Sequence, residues 1–188
     1  RIWDLKSGGL LRTLKGHNNK IHLGKVEGIA IDPKGKFIVS GSDDHTIKIW
    51  DLKSGKLLKT LEGHKDSVDA VAIDPNGQLI VSGSTDRTVK VWDAKSGKLL
   101  KTLSGYNDDI DTVAIDPAGQ YIITGSDDKT IKMWELKSGK LLKVIREHSN
   151  KVEAIAIDPY RRFFVSGSTD KTIKIWELRS GKLLKTFY

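Results

Sequence analysis

The chain has no cysteine, one methionine and four prolines in 188 residues. Without thiols there is no disulfide framework and no thiolate metal site, so a reducing, intracellular and cytoplasmic setting is expected. No apolar run approaches the length of a membrane span, and no segment has the layout of a secretion signal. The first residue is arginine, not methionine, from which an earlier natural start is expected. His22 and His45 stand alone, with no second ligand at metal spacing, and the glycines belong to turns, not to a phosphate loop. Neither a metal nor a cofactor is expected.

The chain does contain a repeat. Residues 63–93 read GHKDSVDAVAIDPNGQLIVSGSTDRTVKVWD. Val68–Ile73 and Leu79–Val81 are short apolar β-formers, and Thr88–Trp92 alternates as a third strand. Asp74-Pro75-Asn76-Gly77 is a turn, because proline presets φ and Gly77 tolerates φ > 0. The leucines of KLLKTL, after each Ser-Gly turn, form a fourth strand. Tryptophans recur at Trp3, Trp50, Trp92, Trp134 and Trp176, the last four spaced by 42 residues, the length of a four-stranded propeller blade.

With Gly63-His64, Ser82, Asp86 and Trp92-Asp93 in register, the chain resembles the WD40 family over nearly its whole length. The resemblance implies an all-β propeller of four-stranded antiparallel blades. The expected division is a half blade at residues 1–15, then blades at 16–62, 63–104, 105–146 and 147–188. The half blade supplies only strands c and d. Because the last blade already has its own c and d, the ends duplicate each other, and the chain is expected to be an arc of a larger or two-chain ring.

Four departures break the repeat. Residues 21–25 (IHLGK) are inserted before the first strand a. Tyr106 replaces histidine in blade three, where a looser loop and the least stable blade are expected. Glu147-His148 lacks the glycine. Arg161 stands where other blades have Gly35, Gly77 and Gly119, and strain into φ > 0 is expected there.

His64, Ser82 and Asp86 have the composition of a hydrolase triad, but the set recurs in two other blades, as His17, Ser40, Asp44 and as His148, Ser166, Asp170. Catalysis needs one nucleophile with its base and an oxyanion hole beside a cleft. Repetition points to a structural role, and no enzyme activity is expected. The resemblance implies a hydrogen-bonded chain from the aspartate through His and Ser to Trp50, Trp92 and Trp176, satisfying buried polar groups together. In blade three the corresponding residues are Thr124, Asp128 and Trp134.

The residue after the first apolar one of strand a is acidic in every blade: Glu27, Asp69, Asp111 and Glu153. The family resemblance places it at the channel mouth on the top face, along with Asp43, Thr85, Asp127 and Thr169, which precede the network aspartate. Like charges held close destabilise one another. The resemblance therefore implies a protein-interaction scaffold whose partner is a protein or a basic peptide, with self-association as a route to a closed ring and no small-molecule substrate. The net charge of +8 raises the alternative of nucleic acid or an anionic membrane. Against it, the lysines flank the c–d turns (Lys53, Lys56, Lys95, Lys98, Lys137, Lys140, Arg179 and Lys182) or lie on strand d (Lys59, Lys101, Lys143 and Lys185), where edge protection accounts for them. A third alternative is a purely architectural, sensor-type segment of a multidomain regulator. Tyr160-Arg161-Arg162-Phe163-Phe164 could bind phosphate through bidentate arginine contacts, but a degenerate turn is the preferred reading.

Overall fold

The computed structural model describes residues 1–18 and 24–188. His22 and most of the inserted stretch 21–25 lie outside them. The described residues form strands and turns with no helix. A two-stranded sheet, β1 (Ile2–Trp3) with β2 (Leu10–Arg12), comes first. Four antiparallel four-stranded sheets follow, each ordered along the sequence. The first comprises β3 (Val26–Ile31), β4 (Phe37–Ser42), β5 (Ile47–Asp51) and β6 (Leu57–Leu61). The second comprises β7 (Val68–Ile73), β8 (Leu79–Ser84), β9 (Val89–Asp93) and β10 (Leu99–Leu103). The third comprises β11 (Thr112–Ile115), β12 (Tyr121–Gly125), β13 (Ile131–Glu135) and β14 (Leu141–Ile145). The fourth comprises β15 (Val152–Ile157), β16 (Phe163–Ser168), β17 (Ile173–Glu177) and β18 (Leu183–Phe187). These are the blades of a partial propeller.

The second strand of each of the first two sheets runs through the whole Ser-Gly-Ser motif, ending at Ser42 and Ser84. It is longer than the apolar run alone predicts, because these small polar residues are wholly interior and need the ladder to satisfy their backbone. Packing between sheets explains the glycine. A Cβ on Gly41 would lie 2.7 Å from the carbonyl oxygen of Val68, and one on Gly125 the same distance from Val152. Each sheet thus presents its second strand to the first strand of the next sheet, and Val68, Ile110 and Val152 are fully buried in these joints.

The acid of each Trp-Asp or Trp-Glu pair holds the turn that follows it. Asp93 Oδ1 accepts from both the amide and the hydroxyl of Ser96 at 2.6 Å, and Glu135 and Glu177 accept from Ser138 and Ser180. In the turn after each first strand, Gly35, Gly77 and Gly119 have φ of 64–69°. Arg161 takes the same conformation at 61°, a position costly for a residue with a Cβ.

Candidate functional site

Where a first strand meets its partner, the register slips by one residue. The slips fall between Val26 and Gly28, between Val68 and Ala70, and between Val152 and Ala154. The unpaired residue at each bulge is Glu27, Asp69 or Glu153. A bulge re-aims its side chain, so the backbone itself turns these acids out of the ladder. In the third sheet β11 starts later. Asp111 precedes it, tied by its amide to Gly125 O at 3.2 Å.

The four positions differ in environment. Glu27 is ion-paired with Lys25 at 2.8 Å. Asp69 accepts from Ser67 at 2.6 Å and from Thr85 at 2.8 Å, so its charge is well solvated by hydroxyls. Glu153 and Thr169 are exposed. Asp111 is crowded. Its Oδ2 is buried without a hydrogen-bond partner. Burial, proton sharing with Asp127 and the charges of Asp127 and Asp69 push its carboxyl up to about 7, against a weaker pull from Lys151. Asp109 is also raised, first by burial and then by Asp108, Asp127 and Asp69. Lys151 pairs with Asp127, whereas the Asp43 carboxylate accepts a long contact from the Ser42 hydroxyl at 3.4 Å. The acidity therefore concentrates at the second and third sheets, in Asp69, Asp108, Asp109, Asp111 and Asp127. Ligand atoms of Asp108, Asp109 and Asp127 lie within 4.8 Å of one another. Asp108 and Asp109 are contributors that the repeat argument missed; the run Asn107-Asp108-Asp109 was their signal.

The triad-like residues are drawn into one hydrogen-bond chain per blade. In the second sheet Asp86 Oδ2 meets His64 Nδ1 at 2.7 Å, His64 Nε2 meets Ser82 Oγ at 2.7 Å, and Trp92 Nε1 donates to Ser82 Oγ at 2.9 Å. His17, Ser40, Asp44 and Trp50 make the same chain, as do His148, Ser166, Asp170 and Trp176. Each serine is occupied by an indole and an imidazole, and Ser82 and Ser166 are fully buried. A nucleophile would need access to a substrate. Burial opposes ionisation of Asp86, but the His64 imidazole, the Thr88 hydroxyl and the Lys65 amide outweigh it and hold the carboxyl far below its ordinary range.

The third sheet departs from the expectation of a looser loop. Tyr106 is buried, and its hydroxyl takes the serine's place as acceptor for Trp134 Nε1 at 2.8 Å while contacting Thr124 Oγ1 at 2.5 Å. Asp128, left without histidine, accepts from Lys132 Nζ at 3.0 Å, and the ammonium lies 3.8 Å from the Tyr106 ring centroid. In the other sheets the equivalent lysines donate to Thr60, Thr102 and Thr186 on the fourth strand. Here that position is Val144, opposite Lys132.

Both arginines of the turn between β15 and β16 are engaged. Arg161 Nε donates to the fully buried Asp116 at 2.8 Å, across the joint to the third sheet. Arg162 makes a two-point contact with Asp158, at 2.8 and 3.1 Å. On the rim, Arg12 Nη1 donates to Ser54 O at 3.1 Å and Lys143 Nζ to Gly181 O at 3.1 Å, so fourth-strand cations cap the c–d turn of the next sheet.

The family model for the WD domain, G-beta repeat, matches residues 8–51, 55–93, 97–135 and 139–177. The chain belongs to the WD40-repeat family. Each family repeat joins the fourth strand of one blade to the first three of the next, so every repeat unit of this WD40 chain spans a joint. No curated protein matches the chain. WD40 repeats typically serve as protein-interaction scaffolds and are generally non-catalytic.

Proposed function

We propose that this WD40 arc is a non-catalytic scaffold, divided into blades at residues 16, 63, 105 and 147, that holds a basic peptide or protein segment at its acidic cluster. The observation that carries this reading is Asp111. Its carboxyl is crowded by Asp127 and Asp69, with Lys151 as the nearby cation, and one of its oxygens is buried without a partner. An incoming lysine or arginine side chain would neutralise the repulsion and give that oxygen a donor. Asp43, Thr85, Glu27, Glu153 and Thr169 would form the surrounding contact surface. An intracellular, cytoplasmic setting suits this role.

The test is titration calorimetry with Lys- and Arg-rich peptides against the chain and its Asp69→Lys, Asp111→Lys variant. Affinity is expected in the parent and lost in the variant, with unchanged circular dichroism. Retained affinity would sink the reading. The exposed lysines along the c–d turns support one rival, an anionic nucleic acid or membrane surface. It predicts binding to DNA, RNA or acidic vesicles that falls steeply with salt.

A further inference from the structure

We propose that the turn between β7 and β8 is a binding site for the guanidinium group of an arginine, formed by Asp74 and Gln78 beside Gly119. Asp74 follows the end of β7, whereas Asp69 lies near its start, so this site is separate from the acidic cluster.

The chain carries a filled version of the same site one joint further on. Arg161 donates through Nε to Asp116 Oδ2 at 2.8 Å and through Nη2 to Gln120 Oε1 at 2.5 Å, both in the turn between β11 and β12. Asp116 is fixed by its own turn. Its Oδ1 accepts the amides of Gln120 and Tyr121 at 2.6 and 2.7 Å, and its Oδ2 that of Ala118 at 3.2 Å. Asp74 is fixed in the same way by Gln78, Leu79 and Asn76, at 2.6, 2.7 and 3.2 Å. The two Oδ2 atoms therefore stand in equivalent places, each with a glutamine at the same position of its turn. The difference lies in the residue facing them across the joint, Arg161 in one case and Gly119 in the other, with φ of 61° and 66°.

The space beside Gly119 can take a side chain. A Cβ there would meet nothing nearer than Pro75 Cδ at 3.6 Å. Asp74 keeps 4% exposure where Asp116, beneath Arg161, keeps none, and Gln78 is exposed. The joint between the first and second sheets is different. There Asp32 Oδ1 turns toward Gly77, 2.3 Å from where a Cβ would lie, and Lys36 stands in place of the glutamine. In the fourth sheet Arg162 fills the role within its own turn by holding Asp158. Lys34 does reach the turn of Asp74, but it comes from the first sheet and donates to Asn76 O at 2.8 Å. A guanidinium has donors in a planar fork, so it can span a carboxylate and an amide oxygen at once, whereas an ammonium is a single point. Asp74 is already buried and oriented, which lowers the cost of receiving it.

The probe is N-acetyl-arginine amide, titrated into the full chain and followed by amide NMR. Saturable shifts are expected at Asn76, Gln78 and Leu79. N-acetyl-lysine amide should bind about tenfold more weakly, for want of the second charged hydrogen bond. Gly119→Arg places an arginine where Arg161 stands in the next joint, and it should abolish the shifts. Arg161→Gly uncovers Asp116 and Gln120, and it should add a second saturable set at Ala118, Gln120 and Tyr121. Tighter binding of the blocked amide than of free arginine would assign the site to a residue within a polypeptide, and the reverse to the free amino acid. No saturable shift in the parent, shifts that survive Gly119→Arg, no second set in Arg161→Gly, or an equal response to the lysine amide would each overturn the proposal.

Discussion

Lys132 and Asp128 form a buried ion pair at 3.0 Å in the third sheet, where the equivalent lysines of the other three sheets bond to threonine. Two substitutions, Tyr106 for histidine and Val144 for threonine, act together to produce it. Tyr106 takes over the acceptor role at Trp134, Asp128 loses its histidine, and Val144 removes the threonine that would otherwise hold the lysine. Burial lowers the Lys132 pKa while Asp128 raises it, and burial wins, so the pair stands on close contact in a dry site.

Replacing Lys132 with methionine should therefore cost more than replacing Lys90. Lys132→Met leaves the Asp128 carboxylate buried without its cation, a loss of about 3 kcal/mol or more. Lys90→Met breaks one charge-assisted hydrogen bond to Thr102, about 1.5 kcal/mol. Urea unfolding of the two variants measures the difference. Equal losses would mean that the ion pair adds nothing beyond the lysine–threonine bond.

Arg161 couples two opposing effects. Its backbone has φ of 61°, and its guanidinium is the cation at Asp116, whose side chain is fully buried. The joint between the second and third sheets shows the alternative, with Gly119 at the same place and Asp74 held by the amides of Gln78 and Leu79. Arg161→Gly loses the ion pair but removes the strain, whereas Arg161→Ala loses the ion pair and keeps the strain. The alanine variant should be less stable than the glycine variant by about 1 kcal/mol. Thermal unfolding would refute this if alanine proved equal or better.

Repetition made the fold legible. The 42-residue spacing of Trp50 to Trp176, the Ser-Gly-Ser strands and the proline-led turns each recur, so one correct reading of residues 63–93 served four times. Departures from the repeat were harder to read, because their meaning lies in partners distant in sequence. Tyr106 alone suggested loss of the network; only its contacts with Thr124 and Trp134, and the link from Lys132 to Asp128, show a rebuilt one. Val144 was the visible trace of that change, one residue of KLLKVI. Equal acids at equal repeat positions also concealed unequal surroundings. Lys25 and the hydroxyls of Ser67 and Thr85 reach Glu27 and Asp69, whereas Asp111 Oδ2 is buried with no hydrogen-bond partner among the described residues.

Asp86 sets the acid limit. Its carboxyl is held well below the unfolded value of 3.8, because hydrogen bonds from His64 and Thr88 outweigh burial. The folded state thus binds fewer protons, and the stabilisation is present above about pH 4 and lost as pH falls further. Asp86→Asn should cost about 2 kcal/mol at pH 7 and much less near pH 2. Unfolding free energies of the two chains at both values test it, and a pH-independent gap would refute the linkage.

Asp111 gives the opposite slope. Its folded carboxyl is raised from 3.8 to about 7, first by burial and then by Asp127 and Asp69. The folded state now binds more protons than the unfolded one, so this contribution is complete below about pH 4 and lost as pH rises through 7. Asp111→Asn removes the titrating group and keeps the shape. Its stability relative to the parent should improve between pH 5 and pH 8, and the parent's midpoint in urea should fall over that interval more than the variant's. A basic peptide bound at the cluster should suppress the same difference, because it replaces the proton with a fixed cation. If the two chains lose stability in parallel from pH 5 to pH 8, Asp111 is not the titrating group and the crowding of the cluster is relieved elsewhere.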